Sequence, residues 1–149
     1  MRWIVIPVLV CLFFAAAPGA AQTPETDVRA ALSFWTDNFN SGRADKVCDL
    51  FSFTLRADVR GAPERDYDMQ CSLLRKALAD PDHTYNYAFE VKEILAERNM
   101  AVVRIVWTTK TRDTATGQVS TSVDQGLDIF GQGPDGQWRI VRYMAYERP

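Results

Sequence analysis

The sequence predicts an α+β fold in which a curved antiparallel sheet wraps around three N-terminal helices. Two observations lead to this prediction. In the first half of the chain, apolar residues recur at steps of three and four, the period of an amphipathic helix. From about residue 84 onward they alternate with polar residues, the period of a β-strand. Because the helices come first, the later sheet can fold over them and leave a pocket between the two layers.

Residues 1–21 have the composition of a secretory signal peptide. Arg2 precedes an apolar run that ends at Ala17, and small residues follow, so we expect cleavage after Ala21. The apolar run is too short for a comfortable bilayer crossing, and no second hydrophobic stretch follows it. An uncleaved anchor helix is the alternative. We expect residues 22–149 to form one domain that is periplasmic or secreted, with no membrane attachment after cleavage.

The charge of the chain is weak and evenly spread. There are 17 basic and 19 acidic residues, which give a net charge of −2. Proteins that bind nucleic acids need a clustered basic face, and this sequence has none. The composition therefore argues against a nucleic-acid partner.

Three helices are predicted before the sheet. The first begins at Thr23-Pro24 and ends at Ser41-Gly42. A short second helix covers residues 44–51, and a third begins at Asp66 or Asp68 and ends before residues 80–82. Their inward-facing residues are Val28, Ala31, Leu32, Trp35 and Phe39 in the first, Val47, Leu50 and Phe51 in the second, and Cys71, Leu74 and Leu78 in the third.

Strands follow, after a segment at residues 52–65 that is irregular apart from a short strand near residues 55–59. Alternation predicts strands from residue 85 to 91 and from 101 to 107, joined by a turn at residues 97–99. Further strands are predicted at residues 120–130 and 138–147, with a turn at residues 133–136. Several strands carry apolar groups on both faces. We therefore expect helices to cover one face, and a partner subunit or loops to cover the other.

Cys48 and Cys71 are the two cysteines of the exported domain. An even pair in an oxidising compartment predicts a disulfide. A redox or metal pair is the alternative, but the sequence has no CxxC motif, and its single histidine, His83, is distant along the chain. We expect His83 to lie in a surface loop, and we expect no metal and no cofactor.

Two stretches carry a resemblance to a known family. The junction at residues 40–45 and the ending Asp135-Gly136-Gln137-Trp138, with its aromatic last strand, resemble the nuclear transport factor 2-like superfamily. That superfamily includes ketosteroid isomerases, SnoaL-like cyclases and dehydratases, and the resemblance covers nearly all of residues 22–149. It implies a cone-shaped α+β fold but leaves the activity open.

The resemblance to ketosteroid isomerase also implies three catalytic residues. The oxyanion tyrosine of that enzyme falls on Trp35, its general-base aspartate falls within one residue of Asp58, and its protonated aspartate falls close to Asp124. In such an enzyme, a carboxylate moves a proton next to a carbonyl while hydrogen-bond donors stabilise the enolate. No cofactor is needed for this chemistry.

Each of these residues also has a structural interpretation. Asp58 lies between Arg56 and Arg60, which favours a solvated or arginine-paired carboxylate. In a regular strand, Asp124 lies opposite the face that holds Val123, Leu127 and Ile129, so that only a bulge, for which Gly126 is the natural site, would bring it onto that face. Trp35 belongs to the apolar stripe of the first helix, which favours core packing.

These observations predict a pocket for a small, largely apolar molecule, with isomerase- or dehydratase-like proton transfer as its chemistry. The aromatic side chains predicted to line the pocket are Phe39, Tyr87, Phe89, Trp107 and Tyr146. Aromatic residues of this kind could instead cover a homodimer face. A non-catalytic module for dimerisation or protein interaction is therefore the alternative function.

Overall fold

The computed structural model describes residues 23–147. The predicted signal peptide, residues 1–21, lies outside the described residues. Two helices and six strands follow in the order α1 (Pro24–Asn40), β1 (Phe51–Val59), β2 (Arg65–Asp66), α2 (Tyr67–Leu78), β3 (His83–Glu97), β4 (Met100–Asp113), β5 (Val119–Gln132) and β6 (Trp138–Glu147). No helix within the described residues is long and apolar enough to span a membrane.

The six strands form one curved, unclosed sheet in the order β2-β1-β6-β5-β4-β3. All neighbouring strands are antiparallel except β1 and β6, which are parallel. A parallel pair needs a long connection, and here α2 and four strands intervene between β1 and β6. The predicted α+β class is confirmed, with one parallel pairing added to an otherwise antiparallel sheet.

Helix α1 has the predicted bounds and the predicted buried stripe. The Thr23 side chain caps its first turn by accepting a hydrogen bond from the Thr26 backbone N–H, and Pro24 occupies its first position. Val28, Leu32, Trp35 and Phe39 are buried against the sheet. The amphipathic pattern therefore places α1 as one wall of the interior.

The second predicted helix, over residues 44–51, is wrong. This segment is a series of turns whose hydrogen bonds join residues three apart in sequence. The Lys46 N–H donates to the Arg43 carbonyl (2.8 Å), and the Asp49 N–H donates to the Lys46 carbonyl (3.0 Å). So short a segment cannot repay the cost of nucleating an α-helix. Its last residue, Phe51, instead pairs with Ile140 as the start of β1. The inward-facing side chains of the segment are nevertheless buried as predicted.

Helix α2 and the turns are joined by the predicted disulfide. The Asp66 side chain caps α2 by accepting from the Met69 backbone N–H at 2.9 Å. Cys71 on its buried face is bonded to Cys48, with the two Cα atoms 5.4 Å apart. The bridge ties α2 to the segment that precedes β1, and so fixes two walls of the same interior.

The two faces of the sheet differ in their cover. The concave face packs on the helices and buries Ala101, Val103, Ile105, Phe130 and Ile140. Alternate residues of the same strands point to the convex face, where Leu95, Met144 and Tyr146 are exposed. Apolar groups thus lie on both faces, as predicted. The partner expected to cover the convex face stays a prediction.

Candidate functional site

A cavity of about 280 Å³ lies between the concave face of the sheet, α1 and α2. Its wall is mainly apolar and aromatic, with a few polar groups, as in small-molecule sites. The lining residues are Trp35, Leu50, Phe51, Val59, Arg65, Gln70, Leu74, Tyr87, Trp107, Asp124, Asp128, Ile140, Tyr143 and Ala145.

The carboxyl group of Asp128 is buried in this wall. Asp128 is 2% exposed, and among the described residues its Oδ2 atom has no hydrogen-bond partner. Burial raises the pKa of Asp128 to about 7, a rise that hydrogen bonding from Trp107 opposes. A carboxyl group with such a pKa can donate or accept a proton near neutral pH.

Asp128 belongs to a row of residues that crosses the sheet. Asp128 on β5 pairs with Tyr143 on β6, Tyr143 pairs with Ala57 on β1, and Ala57 pairs with Arg65 on β2. The Tyr143 hydroxyl donates to Gln70 Oε1 of α2 at 2.8 Å. Burial raises the pKa of Tyr143 to about 12, so this phenol remains protonated at neutral pH. The row places a carboxyl, a phenol and a guanidinium along one wall.

Asp124 lies on the concave face and lines the cavity. It pairs with Trp107, and the next inward position, Gly126, pairs with Ile105. No bulge at Gly126 is needed to bring Asp124 inward. The apolar residues Val123, Leu127 and Ile129 suggested that their own side of the strand faces the core, but they point to the convex face. A Cβ atom at Gly126 would lie 3.1 Å from Ile105 Cγ2, so the glycine permits close approach inside the sheet.

Trp35 lines the cavity, but its indole N–H is already used. Its Nε1 donates to the Val47 backbone carbonyl at 2.8 Å, which holds the turn segment against α1. The ring also contacts Trp107 edge-on, with centroids 5.4 Å apart. Trp35 therefore packs the interior, and this hydrogen bond leaves no indole donor for the oxygen of a ligand, contrary to the role implied by ketosteroid isomerase.

Asp58 lies on the opposite side of the sheet from the cavity. It is exposed and pairs with Met144, whose side chain is 55% exposed on the convex face. Strand parity is the reason, because Ala57 and Val59 on either side of it point inward. Asp58 is therefore not positioned to act as a base on a ligand in this cavity.

The predicted aromatic lining separates into three groups. Tyr87 and Trp107 line the cavity. Phe39 is buried beneath Tyr87, with ring centroids 4.7 Å apart, and Phe89 packs on Trp107 at 5.5 Å. Tyr146 lies on the convex face and donates to Gln125 Oε1 at 2.6 Å, so its place in the lining was wrong.

Sequence analysis missed Asp128, Arg65, Tyr143 and Gln70. A pairing of β5 with β4 would have revealed Asp128, because it stands opposite the buried Val103. Arg65 and Gln70 come from a two-residue strand and a helix face whose positions depend on the whole fold. No local sequence pattern marks them.

The described residues contain no cluster of three or more His, Cys, Asp or Glu side chains arranged to hold a metal ion. His83 begins β3, and its Nδ1 lies 3.2 Å from Asp80 Oδ2 at a partly exposed position. This pair is distant in sequence from Asp124 and Asp128, and neither member lines the cavity.

Several solved structures resemble this chain. A ketosteroid isomerase-like protein from Erwinia carotovora atroseptica matches with a TM-score of 0.67 and 20% identity over 83% of this chain and 95% of that one. An NTF-2 like protein of unknown function from Shewanella oneidensis has a TM-score of 0.67 and 19% identity, over 83% and 99%. A protein from Catenulispora acidiphila in complex with S-DNPA has a TM-score of 0.67 and 11% identity, over 83% and 92%.

The chain therefore has the nuclear transport factor 2-like fold that its sequence resembles. No protein-family model matches the sequence, and no curated protein sequence matches it. At identities of 20% or less, these structural neighbours show the fold and leave the activity to be argued from the cavity itself.

Proposed function

We propose that this domain binds a small, largely apolar molecule in its cavity and that Asp128 exchanges a proton with the bound ligand. The carboxyl group of Asp128 carries the proposal: this residue lines the cavity, its pKa is near 7, and its buried Oδ2 atom has no hydrogen-bond partner among the described residues. A volume of about 280 Å³ suits a ligand of one or two rings. The signal-like residues 1–21 support an exported, periplasmic or secreted location.

The proposed chemistry is proton transfer next to a carbonyl group. The Asp128 carboxylate removes a proton from the carbon beside the carbonyl, which leaves an enolate and a protonated Asp128. Return of that proton to a different carbon gives isomerisation. If Asp128 first trades its proton for one from solvent, return to the same carbon gives hydrogen exchange. Tyr143 remains protonated and is the neighbouring donor for the enolate oxygen, in exchange for its bond to Gln70. A structural neighbour named as a ketosteroid isomerase-like protein supports the same reaction class.

Exchange of carbon-bound hydrogen in deuterated buffer tests this proposal. The probe is 2-tetralone, a two-ring ketone with acidic C–H bonds, followed by proton NMR. We expect wild-type protein to accelerate exchange and Asp128→Asn to lower the enzymatic rate by about 100-fold or more, as for loss of a general base. Asp58→Asn should leave the rate unchanged, since Asp58 is exposed on the convex face.

Two results would contradict the assignment. One is wild-type exchange at the rate of buffer alone, and the other is an Asp128→Asn variant as fast as wild type. A thermal melt of each variant controls for loss of the fold. A rate that depends on Asp58 and not on Asp128 would return the general-base role to the position implied by the sequence resemblance.

Homodimerisation through the convex face is the second candidate function. Leu95 is 61% exposed, Met144 is 55% exposed and Tyr146 is 47% exposed on this face. Apolar side chains gathered on one sheet face mark an interaction surface more often than scattered ones do. This function and ligand binding are compatible, because they use opposite faces of the sheet.

A further inference from the structure

We propose that the ligand is an organic anion, with its carboxylate bound by Arg65 and an uncharged oxygen at its other end facing Asp128. This inference rests on the proposed cavity and names the class of molecule that it takes. The class is a keto or hydroxy acid with an apolar one- or two-ring body.

Arg65 is the cationic residue among those that line the cavity. Its side chain is half-buried, and among the described side chains no carboxylate forms an ion pair with it. The flanking acids are engaged elsewhere: Glu64 pairs with Arg56 at 3.4 Å, and Asp66 caps α2 through the Met69 N–H. A half-buried guanidinium with no carboxylate partner in the protein can bind the carboxylate of a ligand.

Tyr143 places the Arg65 guanidinium at the cavity wall. Arg65 lies near enough to hydrogen-bond the Tyr143 hydroxyl and to oppose the rise in the pKa of that phenol. The same hydroxyl donates to Gln70 Oε1 at 2.8 Å. The planar guanidinium of Arg65 thus lies beside the Tyr143 phenol. A carboxylate can accept two parallel hydrogen bonds from a guanidinium group.

The row across the sheet places the two ends of the ligand on different strands. Arg65 and Asp128 are three strand spacings apart, about 14 Å between backbones, and their side chains span part of that distance. Because Asp128 becomes negative as it ionises, the end of the ligand that faces it must be uncharged.

The second carboxyl group of the cavity favours the same orientation. Asp124 lies four residues from Asp128 along β5, about 13 Å, on the row that contains Trp107. It therefore marks a different corner of the cavity from Arg65. As the cationic residue of the lining, Arg65 draws the carboxylate of a ligand to its own side of the cavity.

A matched pair of probes, 2-naphthoate and 2-naphthamide, tests the inference by titration calorimetry at neutral pH. They share the ring system and differ in charge. We expect wild-type protein to bind 2-naphthoate at least about 10-fold more tightly, a modest value for a charge-assisted pair. Arg65→Gln should abolish that preference by weakening only the anion, and Arg65→Lys should keep part of it. Arg56→Gln, which alters an exposed arginine paired with Glu64 on the convex side, should change neither affinity.

The outcomes separate this inference from the cavity proposal. If both probes bind with equal affinity, or if Arg65→Gln weakens both equally, the anion assignment is overturned and the cavity stands. If neither probe binds, the cavity proposal is overturned and this inference with it. Circular dichroism of the Arg65 variants confirms that a lost preference does not reflect a lost fold.

Discussion

At the scale of single residues, the carboxyl group of Asp128 differs from the other acids of the chain. Most of the described aspartates are exposed, and Asp135 among them accepts hydrogen bonds from Arg139 at 2.8 and 3.0 Å. Asp128 is buried beside apolar groups, and its main available donor is an indole. Burying a charge without a cationic partner is costly, so the group keeps its proton to higher pH. The proposed proton transfer and the stability of the fold are therefore linked at this residue.

The pH dependence of stability should show this link. Asp128 has a pKa of about 7 in the folded protein and about 3.9 when unfolded. Between these values the folded state holds a proton that the unfolded state releases, so the free energy of unfolding falls as pH rises. The loss is up to about 4 kcal/mol, complete above about pH 7. Urea unfolding from about pH 4 to about pH 8 should show this decline in wild type, and Asp128→Asn should remove it.

Asp135 provides a control with the opposite sign. The Arg139 guanidinium beside it lowers the pKa of Asp135 to about 2. Its contribution to stability is present above the unfolded pKa and is lost as pH falls from about 4 toward 2. Asp135→Asn should therefore lower stability by a constant amount above about pH 4, flatten its pH dependence only on the acid side, and leave the decline above pH 4 intact. A decline that persists in Asp128→Asn would assign it to another group.

At the scale of elements, β5 explains why the fold was easier to predict than the site. Its bounds follow from local alternation, and so do those of α1 and β6. Alternation does not say which face of a strand is inward when both faces carry apolar groups. Leu127 and Ile129 suggested the wrong face, so the alternation gave no sign that Asp128 between them points inward. Only the pairing with β4 and β6, a property of the whole sheet, puts Asp124 and Asp128 in the cavity.

The turn segment between α1 and β1 depends on the disulfide more than on its own hydrogen bonds. It has three-residue turns in place of a helix, and Cys48 anchors it to Cys71 of α2. The two cysteines are 23 residues apart. Replacing both with alanine should lower the free energy of unfolding by about 3 kcal/mol, since the bridge restricts the unfolded chain. Urea unfolding of the double variant measures the difference.

Reduced wild-type protein is the control for that variant. It should unfold at the same urea concentration as the double alanine variant, because both lack the bridge and keep the rest of the sequence. Mass measurement after thiol alkylation without reductant should find no label on Cys48 or Cys71. An unfolding midpoint that is indifferent to reduction would show that the segment is held by its packing alone.

At the scale of the whole molecule, the curved sheet has two separate uses for its two faces. The concave face is packed solid at one end, where Phe39 and Phe130 are buried, and is hollow at the other, beside Asp124. Among residues 23–147, neither helix covers the convex face, which exposes Leu95 and Met144. Alternate side chains of a strand thus point to the concave face, which contains the cavity, and to the convex face. A change on one face should not reach the other.

This independence gives a test of assembly. If the convex face forms a homodimer, Met144→Lys should convert a dimer to a monomer, because a two-fold interface contains each substitution twice and a buried lysine lacks a partner. Sedimentation velocity measures the change, and thermal stabilisation by the cavity probe should be retained, since Met144 faces away from the cavity. Met69→Lys is the matched control, at a similarly exposed methionine on α2. Wild-type protein that sediments as a monomer, or a Met144→Lys variant that remains a dimer, would show that this face is not the interface.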